Sequence, residues 1–153
     1  MSAFDPLQTL EAAATLVVMQ PSVTELADAW IALQRYRGED APHEVFQRGF
    51  RLNDVAYDDP AFALSVIEEV VSRYDEKELF TDDQTPAKHI LANLGAGPLE
   101  TLLAQNGSEV ISKVEAIAST DPRFRWVLGC VWQHGMSEDL WARVQFMTGG
   151  LHP

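Results

Sequence analysis

Four prolines constrain the fold of this chain more than any other feature, because each directly follows a residue that can cap a helix. The four pairs are Asp5-Pro6, Asp59-Pro60, Thr85-Pro86 and Asp121-Pro122. An Asp or Thr side chain accepts a hydrogen bond from a free amide group of the first helical turn, and proline in that turn needs no hydrogen-bond partner. A run with helical apolar spacing follows each pair. Each pair therefore predicts the start of a helix.

Further capping residues predict the starts of other helices. Ser22 and Glu25 have the spacing of a capping box, and Ser108 and Ser137 are candidate N-caps for two more helices. The helix that begins at Pro122 is expected to run through residue 133, and the one that begins at Pro6 through residue 19.

Two stretches without such a start are also expected to be helical. Residues 43–56 have helical spacing that Gly49 interrupts, and residues 90–103 predict a helix pair or one helix bent at residues 95–98, where proline clashes with the preceding turn. No segment has the alternating pattern of a strand. We therefore predict an all-α fold, in which residues 1–153 form a single domain of about seven to nine short helices, stacked as helical hairpins in a HEAT-like or a bundle arrangement.

Composition predicts a soluble cytoplasmic protein. A chain of 153 residues has the size of one domain, and its single cysteine, Cys130, excludes an internal disulfide, which fits a reducing cytosol. No basic residue precedes the apolar stretch 12–19, as a secretory signal would need. No apolar run approaches the roughly 20 residues that cross a bilayer.

Negative charge is concentrated in one part of the chain. Of the net charge of −12, residues 54–83 carry −8, because ten acidic residues there stand against only Arg73 and Lys77. Such a surface repels phosphate backbones and anionic lipids, so we expect neither a nucleic-acid nor a membrane partner. It would instead speed the encounter with a basic protein, although acidic surfaces also serve solubility alone.

The sequence CVWQHGMSEDLW, which begins at Cys130, gathers reactive groups but is better explained as a joint between two helices. His134 is expected in the last turn of the preceding helix, and Gly135 can take the left-handed conformation that ends it. Met136 can fold onto the core, and Ser137 can cap the next helix. A dyad of Cys130 and His134 is the catalytic alternative.

The glycine-rich residues 94–100 are not expected to bind phosphate. Glu100 stands where a phosphate-binding loop has its third glycine, and Pro98 lacks an amide hydrogen that such a loop would aim at phosphate. A bend that lets two helices pack closely is the better interpretation.

The sequence predicts no metal site, no cofactor and no catalytic residues. The histidines are dispersed at positions 43, 89, 134 and 152, without the spacing that brings two ligands onto one helical face. The acidic pairs Asp58-Asp59 and Asp82-Asp83 lack the pattern of a calcium loop. No nucleophile elbow is present.

Three runs of sequence carry a resemblance to a known family: ILANLGAGPLETLL (90–103), VWQHGMSEDLWARVQ (131–145) and LADAWIAL (26–33). Together they resemble a bacterial family, domain of unknown function 6869. The resemblance covers most of residues 24–145, which would form the core of the domain, with residues 1–21 as an N-terminal helical extension. It implies a small helical bacterial domain and no catalytic residues.

The leading hypothesis is a non-enzymatic protein-binding module that presents an acidic surface to a basic partner. The candidate partner-binding residues are Asp75, Glu76, Glu78, Phe80, Asp82 and Asp83. A phenylalanine ringed by carboxylates suits an interface with an apolar anchor and a charged rim, although Phe80 could equally be tucked beneath its loop. An immunity or antitoxin-like protein that blocks a basic toxin would fit the size and the acidity.

Two alternatives assign the protein to other functional classes. An enzyme or small-ligand binder could use a groove between helices that is lined by Trp30, Trp126, Trp132 or Trp141, although tryptophans at helical spacing are more often part of a core. A homodimer could form through the apolar first helix.

Overall fold

The helices follow one another along the chain much as the capping residues predict. The computed structural model describes residues 20–37, 40–150 and 153. The helices in these residues are α1 (Val23–Gln34), α2 (His43–Asp58), α3 (Pro60–Ser72), α4 (Glu76–Leu79), α5 (Pro86–Leu94), a π-helical segment (Gly95–Leu99), α6 (Glu100–Thr120), α7 (Pro122–Leu128) and α8 (Glu138–Thr148). The all-α single domain is confirmed, and the described residues contain no strand. The predicted start at Asp5-Pro6 and the helix over residues 6–19 lie outside the described residues.

Side-chain caps begin most of these helices. Asp59, Thr85 and Asp121 each accept a hydrogen bond from a backbone amide of the turn ahead, at 3.2, 3.2 and 2.9 Å respectively. Ser22 and Glu25 complete the predicted capping box, with reciprocal bonds of 3.1 and 3.2 Å. Because each bond joins groups only two or three residues apart, the sequence alone was sufficient to locate these starts.

Two predicted helix boundaries are wrong. Ser108 lies inside α6 and not at a helix start; the break in that helix falls at Asn106, whose backbone is non-helical (φ −132°, ψ 25°). The Asn106 amide group donates hydrogen bonds to the carbonyls of Ala56 and Tyr57, at 2.8 and 3.2 Å. Asn106 thereby caps the end of α2, and this distant contact places the bend where no local signal marks it. The helix expected over 122–133 ends at Leu128.

The predicted bend at residues 95–98 is a π-helical segment that joins α5 to α6 in one bent run. Gly95 lies against α7: a β-carbon at this position would collide with the carbonyl oxygen of Val127 and would stand 2.8 Å from Cβ of Cys130. Gly49 plays a similar part in α2, where an added β-carbon would stand 2.8 Å from the carbonyl oxygen of Ala29 in α1. Both glycines therefore allow two helix backbones to approach closely, and Gly49 does not interrupt its helix.

One apolar core holds the helices together. Trp30 of α1 and Phe124 of α7 are its largest fully buried side chains. The long helix α6 contacts α2, α3, α7, α8 and the π segment, and α1 touches α5 although they are distant in sequence. In an open solenoid each repeat contacts only its neighbours, so these contacts favour a closed bundle. None of the described helices is both long and apolar enough to cross a bilayer.

Candidate protein-binding surface

The six predicted partner-binding residues lie together on residues 75–83, which we call the acidic segment. Asp75 is the N-cap of α4, and its amide donates a hydrogen bond of 2.8 Å to the carboxylate of Glu78. Leu79 is 2% exposed and fixes the short helix to the core, whereas the next residue, Phe80, is 57% exposed. All six of the predicted residues are exposed: Asp75, Glu76, Glu78, Phe80, Asp82 and Asp83. The alternative in which Phe80 is tucked beneath its loop is wrong.

Hydrogen bonds hold the acidic segment in place along its length. The guanidinium of Arg123 in α7 donates to the carbonyl of Tyr74, just before the segment, at 2.9 Å. The Thr85 hydroxyl donates to the carbonyl of Glu78 at 2.7 Å, and the ammonium of Lys88 donates to the carbonyl of Thr81. A segment tied to the fold at two of its own backbone carbonyls and at the carbonyl of the residue before it loses little conformational entropy on binding a partner.

Arg123 places a positive charge near the first carboxylates of the acidic segment. Arg123 also pairs with Asp121, at 3.0 Å. The hydrogen bond to Asp121 is the main reason that the pKa of Arg123 lies above its ordinary value, and the charges of Glu76 and Asp75 add to it. A cation therefore lies near the first carboxylates of the segment. In the second half the side chains of Phe80, Asp82 and Asp83 are exposed, and the Lys88 ammonium lies at the backbone carbonyl of Thr81.

Arg123 and Lys88 contact the backbone around the acidic segment, and the sequence did not reveal these contacts. Each lies one or two residues after a proline that starts a helix, at Pro122 and Pro86. The sequence therefore placed both residues in the first turn of a helix, α7 for Arg123 and α5 for Lys88. Only the packing of those helices against α4 brings them to the acidic segment.

The structure explains the residues after Cys130 as a joint between α7 and α8. Gly135 has a φ of +72°, Met136 is 7% exposed, and the Ser137 hydroxyl accepts a hydrogen bond of 3.2 Å from the amide of Leu140. The packing of Met136 onto the core and the cap at Ser137 are confirmed; Gly135 is left-handed as predicted, but it does not end a helix, because α7 stops at Leu128. His134 does not lie in the last turn of a helix, as predicted, because α7 has already ended.

Cys130 and His134 have separate partners. The Cys130 thiol contacts the carbonyl of Trp126 at 3.6 Å, whereas Nδ1 of His134 lies 3.1 Å from the Glu100 carboxylate. Glu100 also accepts a hydrogen bond of 3.1 Å from the amide of Trp132. Glu100 therefore fastens the joint to the start of α6. This role of Glu100 was not evident from local sequence, since its partners lie more than thirty residues away.

We expect Cys130 to react slowly with alkylating reagents. Burial raises the pKa of its thiol from 9.0 to about 11. At pH 8 this lowers the thiolate fraction about 100-fold, and the greater nucleophilicity of a more basic thiolate restores about tenfold, so alkylation should be about tenfold slower than for an ordinary thiol. The rate with iodoacetamide, measured by mass spectrometry on the native protein, checks this. The same chain unfolded in urea is the control, and equal rates in the two states would show that the thiol is not suppressed.

The four tryptophans do not share one environment. Trp30 is 1% exposed and belongs to the core, whereas Trp132 is 66% exposed; Trp126 and Trp141 are half-buried. A cleft of about 630 Å³ between α6 and α8 is lined in part by Arg125, Arg143 and Phe146, and no tryptophan contributes to it. A ligand groove lined by tryptophans stays a prediction. No cluster of three or more potential metal ligands occurs in the described parts of the chain.

Comparison with known proteins places the chain in a family. No curated protein and no solved structure matches it significantly. Residues 52–150, more than half of the chain, match the model of a family of unknown function, DUF6869. This stretch includes the acidic segment, the π segment and the joint between α7 and α8. The chain therefore belongs to the DUF6869 family.

Proposed function

We propose that this protein is a non-enzymatic binding module whose acidic segment recognises a basic protein. The observation that carries the proposal is Phe80, a large apolar side chain that is 57% exposed among the carboxylates of a segment fixed to the fold. A buried aromatic anchor within a polar rim is the arrangement that supplies most of the binding energy in protein interfaces. Phe80 would enter an apolar pocket of the partner, and the carboxylates would meet its basic rim.

Charge supports a basic partner in particular. The acidic segment contains five carboxylates and one lysine, and the chain as a whole carries −12. A surface of one sign speeds association with a partner of the opposite sign and disfavours nucleic acids and anionic membranes. Within this class we propose an immunity or antitoxin-like role in the bacterial cytoplasm, in which the segment covers a cationic cleft of a toxin. The product of the neighbouring open reading frame is the first partner to test.

Reversing the charge of Asp82 and Asp83 should slow association. We expect the double variant Asp82→Lys/Asp83→Lys to bind the partner about tenfold more slowly at low salt, with a smaller difference at high salt, because screening removes the electrostatic steering. The partner would be captured from a lysate of the source organism with the full chain as bait and identified by mass spectrometry. It would then be purified, and its kinetics measured by biolayer interferometry.

Glu138→Lys/Asp139→Lys is the matched control, since it changes two adjacent exposed carboxylates at the start of α8 and adds the same charge. Steering by overall charge would slow both variants equally, and that result would contradict a role for the acidic segment. Phe80→Ala tests the apolar anchor separately: it should raise the dissociation rate at least about tenfold and leave the association rate nearly unchanged.

A further inference from the structure

A row of exposed aromatic side chains runs along α2. Phe46, Phe50 and Tyr57 are 48%, 43% and 56% exposed, and the rings of Phe46 and Phe50 stack with centroids 5.2 Å apart. A helix turns about 100° per residue, so the three residues fall within about 40° of one another on one face, over a length of about 16 Å. We call this face the aromatic stripe. Large exposed aromatics grouped on one face mark interaction sites more often than they mark ordinary surface.

Charge along α2 is ordered from one end to the other. Arg48 and Arg51 lie in the first part of the helix, where Arg48 pairs with Glu44 at 3.3 Å, and Asp54 and Asp58 lie in the last part. At 100° per residue, Arg51, Asp54 and Asp58 follow the aromatic stripe along one flank. The helix therefore carries one cation, Arg51, followed by two carboxylates along one side of the aromatic stripe, whereas the pair of Arg48 and Glu44 lies on the opposite side of the helix.

This order makes α2 complementary to a second copy of itself. When two identical helices pack antiparallel about a two-fold axis, the first part of each faces the last part of the other. With the axis at the level of residue 52 along the helix, Arg51 of each copy approaches Asp54 of the other, and Phe46 of each approaches Tyr57 of the other. Stacked or edge-on aromatic pairs would then fill the centre of the contact, with ion pairs at its edge.

We propose that the aromatic stripe of α2 is a two-fold interface through which two copies of this chain associate. This differs from dimerisation through the apolar first helix, because the contact uses residues of α2. It is also independent of the proposed partner-binding role. Helix α2 contacts α1, α3, α6 and the π segment but does not contact α4, so a dimer formed through α2 leaves the acidic segment free.

The first test measures self-association of the full chain by sedimentation equilibrium over a range of concentrations. A concentration-dependent dimer is expected, and Phe50→Glu should raise its dissociation constant at least about 30-fold, because it places two like charges at the centre of the interface. Phe146→Glu is the control, since Phe146 is 89% exposed on α8, away from α2. Circular dichroism of each variant monitors folding.

The second test exchanges the charges at the edge of the contact. Arg51→Glu and Asp54→Arg should each weaken the dimer, because each places like charges opposite one another, and the double variant should restore the dissociation constant to within about threefold. Restoration by the second substitution cannot arise from unfolding. A chain that is monomeric at every concentration overturns the proposal. So does a dimer that Phe50→Glu leaves intact, or one that the charge exchange fails to restore.

Discussion

Phe124→Ala is expected to lower the free energy of unfolding by about 3–5 kcal/mol, the usual cost of truncating a buried phenylalanine. Phe124 is 0% exposed and belongs to α7, a helix of 7 residues that contacts α3, α4, α5, α6, α8 and the π segment. A helix this short is not stable without tertiary packing, so a cavity beneath it weakens several contacts together. Urea denaturation followed by circular dichroism measures the loss.

Phe146→Ala removes the same side chain from α8, where it is 89% exposed. This control should change the free energy of unfolding by less than about 0.5 kcal/mol, because no core contact is lost. A comparable loss in both variants would mean that burial does not determine the effect. Because α7 also carries Arg123, a protein that retains its fold after Phe124→Ala should show faster amide hydrogen exchange in the acidic segment.

Gly95→Ala is expected to lower the free energy of unfolding by about 3 kcal/mol. The added methyl group would collide with the carbonyl oxygen of Val127 and crowd Cβ of Cys130, so α7 would have to move away from the π segment. Overpacking against a backbone costs more than overpacking against a flexible side chain, because the backbone cannot change rotamer. Thermal unfolding by differential scanning calorimetry gives the change.

Gly97→Ala is the matched control, two residues along the same π segment. A β-carbon there would meet only Oδ1 of Asn53, at an ordinary contact distance of 3.7 Å. Since alanine also restricts the unfolded chain more than glycine does, this variant should be neutral or more stable by about 0.5 kcal/mol. If the two variants are equally destabilised, the glycines matter for the π-helical backbone itself and not for the approach of α7.

Local signals were sufficient for much of the fold. The caps at Ser22, Asp59, Thr85, Asp121 and Ser137 all start helices in the structure. The left-handed conformation of Gly135 was equally predictable, because glycine adopts a positive φ at little steric cost in the turn before a helix, although α7 ends earlier, at Leu128. Prediction failed at Ser108 and at the end of α7. At Ser108 the cause is distant, since Asn106 binds backbone carbonyls that lie some fifty positions earlier in the chain.

For the candidate protein-binding surface too, some features could be predicted from the sequence and others could not. Its acidic residues are evident in the sequence, because charge is a property of composition. The contacts that hold the segment in place are not evident in the sequence, because Arg123 and Lys88 reach the backbone around the acidic segment only after α5 and α7 have packed against α4. Three other phenylalanines show that apolar periodicity alone does not predict burial. Phe124 is buried, while Phe46 and Phe50 are exposed, although all three lie on helices with apolar periodicity.

The sequence by itself determined where most helices begin, that the fold is all-α, and where negative charge accumulates, because each of these depends on groups within about one helical turn or on composition alone. Only the tertiary structure decided that Phe80 is exposed to solvent, that α7 packs closely against Gly95, and that the aromatic stripe on α2 is not covered by the described helices. Exposure and close approach depend on which distant surfaces meet, and no pattern within a single helix contains that information.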